Sequence, residues 1–265
     1  MNTVSALIER AAQAHPHAVY ALATEHDAQI DFLSLLASCK RMASLLDAHE
    51  VGPGETVSLI MPNGLATLRV LLGAMWAGRC VNPINLLSQP DQMRYVLEHS
   101  QCRLVIVSPE WESKVRDLLD GLDRQVRMVV VDPDAAALPG EKAQADAPVP
   151  SEDAMALLMY TSGTTGKPKG VIRSHRGGAL LSLVTQIELG FTREDQSLLV
   201  MPMCHANSLY FSHTFVHLGA TCIIDDRRSF DPEALLATLA GENVTFTSLV
   251  PTHYIMMLAL PESVK

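Results

Sequence analysis

The feature that most constrains this fold is an alternation. Short apolar runs bounded by turn residues take turns with stretches of helical periodicity. Residues 56–61 read as a strand, 65–77 as a helix closed by Gly78, and 80–84 as a second extended segment. Residues 89–100 read as a helix opened by Pro90-Asp91, 103–108 as a strand, 110–121 as a helix and 126–131 as a strand. Successive strands joined through helices pair in parallel, and the crossover helices cover the sheet. The expected class is therefore α/β, with parallel-sheet lobes flanked by helices.

Upstream, Phe32, Leu35, Leu36, Cys39, Met42, Ala43 and Leu46 recur at helical spacing behind Asp31, a good N-cap residue. Residues 132–153 break the pattern. They are rich in Asp, Pro and Ala and contain Pro139-Gly140. That composition suits a surface linker, so the expected division is a first lobe over 1–150 and a second over 151–265. The second lobe should hold strands at 154–160, 170–173, 197–201, 220–225 and 244–249. Its helices should run from His175 to about Leu189 behind Ser174, over 207–218 and 232–241, and beyond Pro251.

Composition excludes several classes. Apolar residues make up 48% of the 265, too many for a disordered chain. The net charge is -9 and no Lys/Arg run stands out, which argues against nucleic acid as a partner. Cys39, Cys80, Cys102, Cys204 and Cys222 are scattered without Cys-x-x-Cys spacing, the usage of a reduced, cytoplasmic protein. Residues 196–224 contain no Asp, Glu, Lys or Arg, a length that could suggest a membrane span. Pro202, His205, Asn207, His213 and His217 fall inside it, so a buried strand–helix–strand unit is the better reading.

One segment carries chemistry. Tyr160-Thr161-Ser162-Gly163-Thr164-Thr165-Gly166-Lys167-Pro168-Lys169-Gly170 packs four aliphatic hydroxyls, three glycines and two lysines behind an apolar run. Glycines let backbone approach a bulky anion. Backbone N–H groups and hydroxyls donate to phosphate oxygens, and lysines neutralise their charge. In an extended stretch, residues 167 and 169 point to the same side. The NTPase P-loop spacing, Gly-x4-Gly-Lys-[Ser/Thr], does not fit, since two residues separate Gly163 from Gly166.

Ten positions, Thr161 to Gly170, resemble the signature of the AMP-binding, adenylate-forming enzymes: acyl-CoA synthetases, luciferases and peptide-synthetase adenylation domains. The resemblance implies that this chain is the first part of the large N-terminal domain of such an enzyme, ending inside its second lobe. It implies a reaction in which a carboxylate attacks the α-phosphorus of ATP, giving acyl-AMP, and the CoA thiolate then displaces AMP. The partners would be ATP, CoA and a small carboxylic acid, with Mg2+ as cofactor. Thr161, Ser162, Gly163, Thr164, Thr165, Gly166, Lys167, Lys169 and Gly170 would hold the phosphates, and Lys169 would be catalytic. Met201-Pro202-Met203-Cys204-His205 resembles the Pro-x-x-His segment of acyl-CoA synthetases and makes His205 the second catalytic candidate. The family's Mg2+-holding Glu, ribose-binding Asp and C-terminal adenylation Lys have no counterpart before Lys265. Two alternatives stay open: a nucleotide-binding scaffold without ligase activity, and an adenylation domain that loads a carrier protein.

Other features have plainer readings. Gly52-Pro53-Gly54 enters a strand rather than a helix and reads as a turn. His213 and His217 sit four apart, but position 214 is Thr and no carboxylate lies near in sequence, so buried histidines are expected rather than metal ligands. Met201, Met203, Leu209, Tyr210 and Phe211 are expected in the core ahead of an acyl pocket. His205 itself could simply cap a helix. Val250-Pro251-Thr252-His253-Tyr254 weakly resembles a family segment near the ligand cleft.

Overall fold

The computed structural model describes residues 2–26, 28–139, 149–161 and 167–262. In chain order the elements are α1 (Val4–Ala14), β1 (Val19–Ala23), β2 (Gln29–Asp31), α2 (Phe32–Ala48), β3 (Thr56–Ile60), α3 (Leu65–Trp76) and β4 (Cys80–Pro83). Then come α4 (Pro90–His99), β5 (Leu104–Val107), a 3-10 turn (Pro109–Trp111), α5 (Glu112–Asp120) and β6 (Arg127–Val130). The second half carries β7 (Met155–Thr161), β8 (Lys169–Ser174), α6 (His175–Leu189), β9 (Gln196–Leu199), α7 (Ala206–Leu218), β10 (Thr221–Ile224), α8 (Pro232–Gly241), β11 (Phe246–Thr247) and α9 (Pro251–Leu258).

Local chemistry sets the helix ends. The carboxylate of Asp31 accepts from the N–H of Ser34 at 2.7 Å, and the hydroxyl of Ser174 accepts from the N–H of Gly177 at 3.1 Å. Each satisfies one of the donors that a helix start leaves open. Gly190 and Gly219 close α6 and α7 in the left-handed region, with φ 67° and 69°.

Two sheets result, with strand orders β11-β9-β10-β1-β2 and β6-β5-β3-β4-β7-β8. All pairings are parallel except β1–β2 and β7–β8, which are antiparallel. The chain passes between the sheets twice. The N-terminal β1 and β2 join strands from the C-terminal half, and β7 and β8 extend the sheet begun by β3. A boundary near residue 150 therefore does not separate the two sheets.

Alternation along each strand builds the layers. Leu104 and Ile106 of β5 enter the central core, while Val105 and Val107 face an outer cluster with Met93, Leu97 and Val115 of α4 and α5. Cys222 and Ile224 of β10 likewise face the central core, and Ile223 meets Leu235 of α8 on the other side. Residues of α1, α2, α3 and α7 fill the space between the sheets as one continuous core. At its centre lies α3, packed against α1, α2, β1 and β4. Gly73 permits that approach: a Cβ there would stand 2.7 Å from the Cβ of Met42.

Element types agree with expectation along most of the chain, and α6 and α8 keep their expected bounds. Three elements come in addition: α1, β1 and β2. Residues 244–249 yield only the two-residue β11. Residues 196–224 form the parallel unit β9–α7–β10. Among the described residues, no helix is long and apolar enough to cross a membrane.

Candidate active site

The signature segment starts at the tip of the β7–β8 hairpin. Thr161 is the last residue of β7 and stands opposite Lys169, the first of β8. Ser162, Gly163, Thr164, Thr165 and Gly166 lie outside the described residues. Lys167 and Lys169 are exposed. The Nζ of Lys167 lies 5.5 Å from the ring centroid of Tyr95 on α4. Gly170 sits within β8 opposite Tyr160, where a Cβ would come within 3.0 Å of Leu158 and 3.4 Å of the Tyr160 ring. A side chain at 170 would therefore press on those of Leu158 and Tyr160 within the hairpin.

Next to this hairpin is a cavity of about 420 Å³. Thr161 and Pro168, Cys204 and His205, and Asn85 and Gln92 all line it. These residues follow β7, β9 and β4, so the cavity lies at the carboxyl ends of parallel strands, where open α/β sheets bind ligands. The walls come from different sheets: β4 and β7 belong to one, β9 to the other.

His205 occupies the N-cap position of α7, and its side chain makes no capping hydrogen bond. His205 is instead one of the residues that line the cavity. Beside it, burial pushes the Cys204 thiol up to about 11, so Cys204 is a neutral thiol rather than a nucleophile. Tyr160 lines the same cavity; its phenol is pushed up to about 12, mainly by burial, and its oxygen lies 2.7 Å from Nδ1 of His99. The tip of the hairpin is in this way tied to the end of α4.

The remaining candidates fall away from the cavity. His213 is buried on α7 and its ring nitrogens have no hydrogen-bond partner among the described residues; burial and the neighbouring His175 lower its pKa to about 4. Met203 and Leu209 are core residues, and Phe211 packs on Phe191 and Phe246. His253 stacks on Phe230 at 4.1 Å between ring centroids. Among the described residues, His26, Asp134 and Asp226 alone bring three potential metal-ligating side chains within 4.8 Å of one another. A guanidinium already fills that role: Arg228 donates to Asp134 at 2.7 Å, while Asp226 accepts from Thr24, Glu25 and His26. Asn85 and Gln92 were not anticipated from sequence. Their signal is positional, a loop and first helical turn directly after a parallel strand.

The model of the AMP-binding enzyme family matches residues 8–265. The chain belongs to that family. The sulfoacetate–CoA ligase of Cupriavidus necator is 37% identical over 266 aligned positions, 98% of this chain and 52% of the ligase. A feruloyl-CoA synthase from an Amycolatopsis species is 31% identical, over 95% of this chain and 49% of the synthase. The chain spans about half the length of these curated relatives. Among solved structures, the N-terminal domain of FACL13 from Mycobacterium tuberculosis superimposes with a TM-score of 0.87 at 22% identity, over all of this chain and 67% of that one. The o-succinylbenzoate CoA synthetase of Bacillus subtilis, solved with its acyl-adenylate intermediate, gives 0.82 at 26% identity over 97% of this chain and 66% of that one. The two-sheet architecture is that of the N-terminal domain of adenylate-forming enzymes.

Proposed function

We propose that the protein to which this chain belongs is an acyl-CoA synthetase. A carboxylate oxygen attacks the α-phosphorus of ATP and expels pyrophosphate; CoA thiolate then attacks the acyl carbon and releases AMP. The observation that carries this reading is the convergence of Thr161 and Pro168 with His205 on one cavity. Residues of the signature segment and His205, which follows a strand of the other sheet, line the same space.

The first step gathers negative charge, so fixed donors and cations count most. Thr161, Ser162, Thr164 and Thr165 would donate hydroxyls to the β- and γ-phosphates. Lys167 and Lys169 would neutralise the departing pyrophosphate. Pro168 fixes φ between them and limits the freedom that binding must remove. His205 would stand beside the carboxylate being activated. Mg2+ would supply charge compensation on the phosphates, but among the described residues no carboxylate lines the cavity. Its ligands are therefore not among the described residues of this cavity. As the chain spans about half its relatives, the complete reaction is assigned to the whole protein.

The test is Lys169→Ala in the whole protein. Acid-dependent exchange of pyrophosphate into ATP should fall about a hundredfold, the usual scale for losing one charge-stabilising group, with the fold intact. Undiminished exchange would remove Lys169 from the mechanism. A panel including sulfoacetate, ferulate and fatty acids would identify the acid. Thioester formation on CoA, against transfer to a carrier protein, would separate synthetase from carrier loading.

A further inference from the structure

Asn63 lies between Pro62 and Gly64 in the turn from β3 to α3, far in sequence from the cavity and almost fully buried. Its carboxamide crosses from one sheet to the other. Oδ1 accepts from the N–H of Met203 at 2.9 Å. Nδ2 donates to the carbonyls of Met201 at 3.2 Å and Asp225 at 3.3 Å. Only one orientation of the amide serves all three partners: an N–H needs the oxygen, and two carbonyls need the nitrogen. Both N–H donors and the carbonyl oxygen are engaged, and every partner is backbone just beyond a strand of the other sheet.

We propose that Asn63 is a positioning residue that sets the His205 loop against the phosphate hairpin. The inference rests on the synthetase reading for its kinetic consequence, and on geometry alone for the clamp. Asn63 follows β3, whose sheet carries β7 and β8; Met201–His205 follows β9 of the other sheet. The loop is held at successive points. Asn63 takes Met201 and Met203, and the N–H of His205 donates to the carbonyl of Pro202 at 2.9 Å. Two residues after Met203, His205 lines the cavity that Thr161 also lines. Asn63 is anchored in turn, since its own carbonyl accepts from Arg228 at 3.2 Å. Reactions between two bound groups depend on their relative placement. Here one carboxamide links the half that would hold ATP to the half that would hold the acid.

Two variants in the whole protein separate the possibilities. Asn63→Ala leaves the Met203 N–H buried and unpaired. Asn63→Asp keeps the shape but turns an oxygen toward two carbonyls, so it tests the clamp even if the alanine variant folds poorly. Amide hydrogen exchange in the 201–206 segment should quicken about tenfold or more in both, with β3 and β9 still protected. The KM for the acid should rise while that for ATP stays within about twofold. Unchanged exchange in the loop, or equal losses toward both substrates, would overturn the proposal. A wild type inactive with every acid would defeat the synthetase reading; the loop's exchange would then uphold or overturn the clamp by itself.

Discussion

Helices α3 and α6 are both rich in apolar residues, yet they live in different surroundings. All twelve residues of α3 are buried. In α6, Leu180, Leu183, Val184 and Ile187 remain 42–69% exposed. Their spacing, i, i+3, i+4 and i+7, is that of a single helical stripe. The cause is placement rather than composition. Strands of both sheets flank α3, whereas α6 packs on α7, α1 and the β7–β8 hairpin and shows its other side to solvent. A polar residue tells the same story. Arg69 of α3 is buried, and its guanidinium donates to the carbonyls of Leu65, Ala135 and Ala136. Apolar periodicity says that a face wants cover; only the layer order says whether this chain covers it.

The widest separation should come from truncating leucines. Leu71→Ala in α3 removes a fully buried side chain between two sheets that cannot collapse onto the gap. It should cost about 3 kcal/mol. Leu183→Ala in α6 should cost less than about 0.5 kcal/mol, since that side chain is already 42% exposed. Urea unfolding of the two variants reads the difference. Equal costs would mean that the α6 stripe is covered in solution.

Acid should find the weakness next to α6. His175 at its first turn and His213 on α7 are buried, and none of their ring nitrogens has a hydrogen-bond partner among the described residues. Burial lowers both pKa values to about 4, with His175 adding to the effect on His213. Above pH ~6.5 both rings are neutral in either state and carry no protonation penalty. As pH falls from there toward 4, the unfolded chain takes up protons that the folded chain refuses, so stability drops. The loss approaches about 3 kcal/mol for one such imidazole. His26 acts in the opposite sense: its pKa is raised, first by the hydrogen bond to Asp226 and then by the charge of Asp134, so its contribution fades as pH rises. The difference between wild type and His213→Leu isolates the buried group. The variant's stability should depend less steeply on pH between 4 and 6.5, and parallel profiles would show that His213 is solvated.

Much of this was legible in the sequence, for physical reasons that particular elements expose. Helix α6 could be bounded because Ser174 caps it and Gly190 closes it. The parallel unit β9–α7–β10 followed from a run too polar in its middle to span a membrane. Sheet membership was not legible. Nothing in β1 says that its neighbour is β10, some two hundred residues away; that pairing is chosen by the shared core. The hairpin made by β7 and β8 was visible only as two strands around a glycine-rich loop. Of the cavity lining, His205 was expected from the turn that carries it. Asn63 was missed because Pro-Asn-Gly reads as an ordinary surface turn, and only burial reveals that its amide bridges two sheets.

The finest test substitutes the same residue in both helices and expects opposite signs. Gly73→Ala in α3 gains helix propensity, but the new methyl would meet the Cβ of Met42 at 2.7 Å and the Cα of Cys39 at 3.3 Å. Neither atom can swing aside, so α2 must shift, and the net effect should be a loss of about 1–2 kcal/mol. Gly178→Ala in α6 meets only Cγ2 of Val4, at 3.4 Å, an ordinary contact. There the lowered entropy of the unfolded chain and the better helix former should prevail, a gain of about 0.5–1 kcal/mol. Thermal unfolding of the pair resolves the signs. If both substitutions destabilise, α6 is held against α1 as tightly as α3 is held against α2, and the contrast between the two helices reduces to one exposed stripe.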